Sequence, residues 1–387
     1  MMRSGLGHQA AISRRLIPLV IIMLGLPAVT NAEPAIDCPL RAAPYSVDSP
    51  LLDVLIKPEA RSAIDRAAPG LLQALPPALL NTTSPSFSAI VTLRTLAGLT
   101  GMAPEGLVRL NSALGQLSVT AEDEHARCAR YDVVRPELPI PDGKPRLLLF
   151  EKMTGFRDGP SVDAAHTALV ELARRGGWAI VATDKGGAIT PEILQQFDAV
   201  IWNNVSGDVL TLTQRRAFQA YVEGGGGFVG LHGSAGDPVA FWDWYVDTLV
   251  GARFAGHPMG PQFQEARVVI ESAASGIGRG LPPAWTMKDE WYSFKNNPRE
   301  NGATVIATLD ESTYSPVGMA GKDLRMGADH PIAWTRCVKA GRSFYSAIGH
   351  RPEIYSDPQH LQLLEQAILW AAGTGPTLCR QGREIAR

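Results

Sequence analysis

Tyr221-Val222-Glu223-Gly224-Gly225-Gly226-Gly227-Phe228-Val229-Gly230-Leu231-His232-Gly233-Ser234 reads, in order, as a helix end, a glycine bend, a buried strand and a sharp turn carrying one reactive side chain. Within it, Gly230-Leu231-His232-Gly233-Ser234 has the small-x-X-x-small outline of a nucleophile elbow, in which small flanking residues let a strand-to-helix turn lift the central side chain above a sheet. Enzymes built on that turn place Ser or Cys at its centre. A histidine there points to proton transfer or metal ligation, because imidazole near neutral pH serves as base, acid or ligand.

Working outward, short apolar runs alternate with helical patterns. Strands are expected at 146–150, 178–183, 199–203 and 227–231, and helices at 162–176, 191–197 and 213–224. Strands joined by helices over short loops imply right-handed crossovers and an α/β fold whose parallel sheet is covered by helices on both faces. Ligands of such sheets sit beyond the carboxyl ends of the strands, and His232 ends one of them. The second half is mixed in pattern, with strands expected at 304–309, 331–336 and 343–350 and a closing helix at 361–372.

Residues 33–133 form a separate, small helical segment with apolar clusters at helical spacing over 50–56 and 107–114, broken by Pro69-Gly70 and Pro76-Pro77. Its single histidine is His125, so it reads as a packing or interaction module. Pro136, Pro139 and Pro141 make 134–143 an extended linker, which leaves 144–373 as the main domain and 374–387 as a tail.

The N-terminus carries Arg3, Arg14 and Arg15, an apolar run over 16–26 and then Thr30-Asn31-Ala32, the order of a secretory signal peptide cleaved after Ala32. The run is short for a bilayer span, so the mature chain is expected to have no membrane span and to be periplasmic or secreted, with a retained membrane anchor as the alternative. Cleavage removes three Arg and no acid, taking the formal charge from −2 to −5, which argues against a nucleic-acid partner. Of the three pairings open to Cys38, Cys128, Cys337 and Cys379, the economical one is Cys38–Cys128 with Cys337–Cys379; free buried thiols are the alternative.

The candidate chemistry lies in four histidines near strand ends: His232, His257 in Gly256-His257-Pro258, His330 in Asp329-His330-Pro331, and His350 in Gly349-His350-Arg351. Each can also be a hydrogen-bonded turn residue. Asp289-Glu290 precede Trp291-Tyr292, a pairing that suits sugars, since aromatic faces stack on C–H surfaces while carboxylates accept hydroxyl hydrogens. Trp244 and Tyr245 follow the elbow and are expected to line the same pocket, with core packing as their plain alternative. The glycine run lacks the Lys-Ser/Thr ending of a phosphate loop, and no His-Glu-x-x-His occurs.

Thr154-Gly155-Phe156-Arg157, the 221–232 stretch, Leu249-Val250-Gly251-Ala252-Arg253-Phe254-Ala255-Gly256-His257-Pro258, Asp289-Glu290-Trp291-Tyr292, Asp329-His330-Pro331-Ile332-Ala333-Trp334 and Gly349-His350 occur in one order in one chain. Together they resemble the ThuA-like (trehalose utilisation) family over 144–373. The resemblance implies a flavodoxin-like, class I glutamine amidotransferase-like fold without glutamine hydrolysis, His232 standing where the amidotransferase has Cys. It also implies bacterial disaccharide catabolism on 3-keto-glycosides, alongside sugar-oxidising dehydrogenases as pathway partners. On that expectation His232 or His350 abstracts the acidified C2 proton while Asp289 and Glu290 orient the base or the hydroxyls. Arg157, Trp291, Tyr292, Trp244 and Tyr245 bind the sugar, and His257 with His330 complete a divalent-metal site. The alternatives are a non-catalytic carbohydrate-binding or envelope scaffold, and an amide or ester hydrolase using Ser234. Asp158 departs from the family, which has His after Gly-Phe-Arg, and the segment before the linker lies outside the resemblance.

Overall fold

The computed structural model describes residues 36–235, 242–271, 276–373 and 379. The expected leader, 1–32, and the expected tail, apart from Cys379, lie outside the described residues. In the N-terminal segment five helices form: α1 (Leu51–Leu55), α2 (Pro58–Ala67), α3 (Leu93–Thr100), α4 (Pro104–Gly115) and α5 (Ala121–Cys128). Proline at the first position starts α2 and α4, where its missing N–H costs nothing. Thr120 and Asp123 close a reciprocal capping box on α5. The apolar faces of α1 to α4 meet in one core built on Leu51, Val54, Ile64, Leu93, Leu110 and Leu114.

Beyond the extended stretch 134–143 come β1 (Arg146–Phe150), β2 (Ala179–Thr183), β3 (Ala199–Asn203) and β4 (Gly227–Leu231), all parallel. β1, β3 and β4 are buried along nearly their whole length, which is why each appears as a continuous apolar run. The crossovers are α6 (Gly159–Gly176), α7 (Pro191–Leu194) and α8 (Leu212–Glu223). A final helix, α9 (Pro358–Ala371), packs on β4 and on a strand from the second half. α6 and α9 share the turn at Pro352–Ser356, whereas α7 packs with α8, so helices cover both faces.

The second half adds β5 (Phe254–Gly256), β6 (Phe263–Ile270), β7 (Ala284–Glu290), β8 (Ser293–Phe294), β9 (Thr304–Asp310), β10 (Pro331–Val338) and β11 (Gly341–Ser346). The main sheet runs β2-β1-β3-β4-β11-β10-β9-β6-β7, and β5 with β8 makes a separate ribbon. β11 lies parallel to β4, and the four strands beyond it are antiparallel to their neighbours. β6 and β7 were not legible as strands: their exposed faces carry Glu265, Arg267 and Lys288, so they show no apolar run. Chain order reverses about β1, and the crevice so formed at the ends of β1 and β3 adjoins the end of β4.

Both disulfides, Cys38–Cys128 and Cys337–Cys379, are formed, and no cysteine is free among the described residues. Such bonds belong to oxidising compartments. Among the described residues no helix is long and apolar enough to cross a membrane.

Candidate active site

β4 ends in a tight helical turn, His232–Ala235, and His232 takes φ +37°, a strained value for a residue with a side chain. The strain is held by packing and hydrogen bonds: Tyr345 Oη donates to His232 O at 2.8 Å, and Gly233 N–H donates to Asn204 Oδ1 at 3.3 Å. The elbow therefore forms as expected, but its histidine is 3 % exposed instead of standing free above the sheet. What covers it is the end of β7. Although β7 stands at the far edge of the sheet, Glu290 Oε2 returns to 3.3 Å from His232 Nε2, so the antiparallel half curls over the carboxyl ends of the parallel strands.

Three side chains converge there. His232 Nε2 lies 3.1 Å from His350 Nδ1, and His350 Nδ1 lies 3.1 Å from Glu290 Oε2. His232 Nδ1 is 2.7 Å from Ala347 O, an acceptor, which puts the proton on Nδ1 and a lone pair on Nε2. Two lone pairs of His232 and Glu290 thus face His350 Nδ1, a meeting that requires a shared proton or a cation. Burial opposes the charge of Glu290, but its interactions with His232 and His350 outweigh it and hold the carboxyl well below the usual range. Burial lowers the pKa of His350, yet the hydrogen bond and charge of Glu290, with the charges of Asp158 and Asp289, raise it overall.

His257 joins from the ribbon side: its Nδ1 is 3.3 Å from Glu290 Oε1 and 3.0 Å from Pro258 O. Gln262 also donates to Glu290 Oε1. Asp158 sits on the other edge of His350, Oδ2 to Nε2 3.6 Å, which places a second carboxylate at this site. Tyr292 packs on the His232 ring at 4.2 Å between centroids, and Phe263 on His350 at 5.1 Å. Gln262 and Phe263 carried no sequence signal, being two ordinary residues at the start of an unrecognised strand.

Other expected site residues are placed elsewhere, each for a physical reason. Asp289 is fully buried beside the cluster and accepts the backbone N–H groups of Gly349, His350 and Arg351 at 2.7, 3.1 and 3.1 Å, so it fixes the turn that carries His350. His330 is sealed in the interior with Nδ1 at 2.7 Å from Glu311 Oε1 and Nε2 at 2.8 Å from Tyr292 O, which commits both nitrogens and separates it from His257. Trp291 is fully buried and donates to Gln264 O, Tyr245 is stacked on Trp202 in the core, and Trp244 donates to Glu223 on α8. These three pack the core or its edge and do not line the cleft expected of them. Arg157 is solvent-exposed and pairs with Asp163. Ser234 is fully buried, donating to Trp202 O and accepting from Val205 N–H, which leaves it no access as a nucleophile.

The ThuA family, described as trehalose utilisation, matches residues 146–371. A ThuA-like protein of Bacteroides uniformis is similar in structure, with 28% identity over 60% of this chain and 94% of that one and a TM-score of 0.50. A ThuA-like protein of Parabacteroides merdae shares 16% identity over 62% of this chain and 93% of that one, with a TM-score of 0.45. No curated protein matches the chain.

Proposed function

We propose, because this chain belongs to the ThuA (trehalose utilisation) family, that it is an exported enzyme of carbohydrate utilisation acting on disaccharides or other glycosides, with 3-keto-glycosides as its substrate class. The observation that carries the reading is the meeting of His232 Nε2, His350 Nδ1 and Glu290 Oε2 at separations of 3.1 to 3.3 Å. Two imidazoles and a carboxylate suit zinc or a similar divalent ion, whose tetrahedral ligands at about 2.0–2.2 Å from the metal stand roughly 3.3–3.6 Å apart. The hydrogen bond from His232 Nδ1 to a backbone carbonyl is the kind of outer contact that orients a ligating histidine. Such an ion would polarise a substrate carbonyl as a Lewis acid.

The chain's own groups account for the proton movements. In a 3-keto-glycoside the carbonyl acidifies the proton on C2. A base takes that proton, the C2–H electron pair becomes the C1–C2 double bond, and the C1–O bond breaks to release the aglycone. His257, with its proton on Nδ1 and a lone pair on Nε2, is the group we assign as base; Asp158 is available to hand a proton to the leaving oxygen. Asp289 holds His350 in place without facing substrate. The intact donor set favours a working site over a non-catalytic scaffold, and two disulfides support export.

Elemental analysis of the purified protein, paired with turnover of a 3-keto-disaccharide, tests the assignment. A bound divalent ion is expected, lost together with turnover in His232→Ala. Undiminished turnover by metal-free His232→Ala would end it.

A further inference from the structure

Residues 36–133 lie outside the family match, yet one part of them reaches the candidate site. Ser86 Oγ accepts from Ser88 N–H at 3.2 Å and donates to Asn81 O at 2.8 Å, which fixes the helical turn Phe87–Ala89. Ser86 N–H donates to Thr154 O at 3.0 Å and ties that turn to the loop after β1. The loop is held a second time, because Thr154 and Gly155 N–H both donate to Ser206 O, at 2.9 and 3.1 Å. A Cβ at Gly155 would stand 2.4 Å from Ile90 Cγ2 and 2.5 Å from Ser206 Oγ, so glycine is required where these loops press together.

On this joint stands a stack of rings. Phe87, 37 % exposed, lies on Phe156 at 4.7 Å between centroids and 20° between planes. Phe156 is half-buried and lies on the imidazole of His350 at 6.3 Å and 23°. Both separations fall in the range of offset stacking, so Phe87 covers Phe156 and Phe156 closes one approach to His350.

His350 has need of such a contact. Asp289 fixes its backbone, but the outer torsion of a histidine is broad, and a half turn of the ring would carry Nδ1 away from Glu290. His232 and Glu290 hold only that corner of the ring, since Asp158 at 3.6 Å from Nε2 is beyond hydrogen-bond length. The rest of the imidazole is bounded by Phe156 and Phe263, and the side chain is 14 % exposed.

We infer that Phe87 is a positioning residue of the candidate site: it holds Phe156 against the His350 ring, which keeps Nδ1 turned to His232 and Glu290 and keeps water off that side of the cluster. The N-terminal segment thereby completes the site from outside the family domain, and Phe87 itself touches neither substrate nor ion. The inference rests on the reading of His232, Glu290 and His350 as holders of a divalent ion, and extends it to the apolar layer around them.

The full chain, native and with Phe87→Ala or Phe87→Tyr, is titrated with zinc against a chromophoric chelator, with urea unfolding of the metal-free proteins alongside. In Phe87→Ala the zinc Kd should rise roughly tenfold, the lower end of the cost of losing a contact that supports a metal ligand. Phe87→Tyr, which keeps the ring face, should return to the native affinity. The visible absorption of the cobalt-loaded protein should change in Phe87→Ala and be native in Phe87→Tyr. Phe87→Leu takes the place of the alanine variant if that variant does not fold. Native zinc affinity in the truncated variant overturns the inference with the metal reading intact, whatever the urea midpoints show, and so does an equal loss in Phe87→Tyr. If the native protein binds no zinc, the metal reading fails and the inference with it.

Discussion

Asp289 shows how little a residue's type says about its role. Beside Glu290 it reads as half of a catalytic pair, but its two oxygens are taken by three backbone N–H groups, while Glu290 faces the histidines. Burial pushes the Asp289 carboxyl above its ordinary value, against the charge of His232 and the backbone donors. The turn it holds depends on Gly349 at φ +145°, where a Cβ would stand 2.4 Å from Tyr355 Oη. In Asp289→Asn, whichever way the amide is turned, its NH2 meets at least one backbone N–H. The expected loss is about 1–3 kcal/mol in urea unfolding, with reduced turnover because His350 is released; unchanged stability would show that the turn holds itself.

At the scale of elements, α9 carries a pH-dependent liability. His360 is fully buried, its ring nitrogens have no hydrogen-bond partner among the described residues, and burial lowers its pKa to about 3. Because the unfolded value is near 6.5, the unfolded chain binds more protons between those limits, so stability is complete above about pH 6.5 and falls as the pH drops toward 3. The slope approaches about 1.4 kcal/mol per pH unit from this one group. His360→Leu should flatten the acid limb relative to the native protein in urea melts at pH 7, 5.5 and 4.5; parallel acid limbs would exclude His360 as its source. Elements also mark where sequence reading stops. β11 ends at Ser346, short of the expected 350, because the backbone of 349–351 is claimed by Asp289. β6 and β7 escaped because a strand with one face toward solvent mixes charge with apolar residues, and their pairing is with strands distant in sequence.

Across the whole molecule, the N-terminal segment is tied at its two ends by Cys38–Cys128, a bridge spanning 90 residues. Closing so long a loop restricts the unfolded chain, and its removal in Cys38→Ser/Cys128→Ser should cost about 2–5 kcal/mol. Denaturant midpoints read the loss directly; an unchanged midpoint would mean that packing alone secures the segment.

The parallel half of the sheet and the histidine elbow at the end of β4 were legible in the chain itself, because each is written locally: short doubly buried strands are apolar throughout, and a turn with small flanks marks its own centre. Tertiary structure alone decided the site. The curl of β6 and β7 brings Glu290 from the sheet edge to His232, turns Asp289 into a brace, draws His330 into the interior and sets Asp158 beside His350. Those encounters join residues 19 to 192 positions apart, from Glu311 with His330 to Asp158 with His350, at distances that follow from how the sheet bends and from no local pattern in the chain.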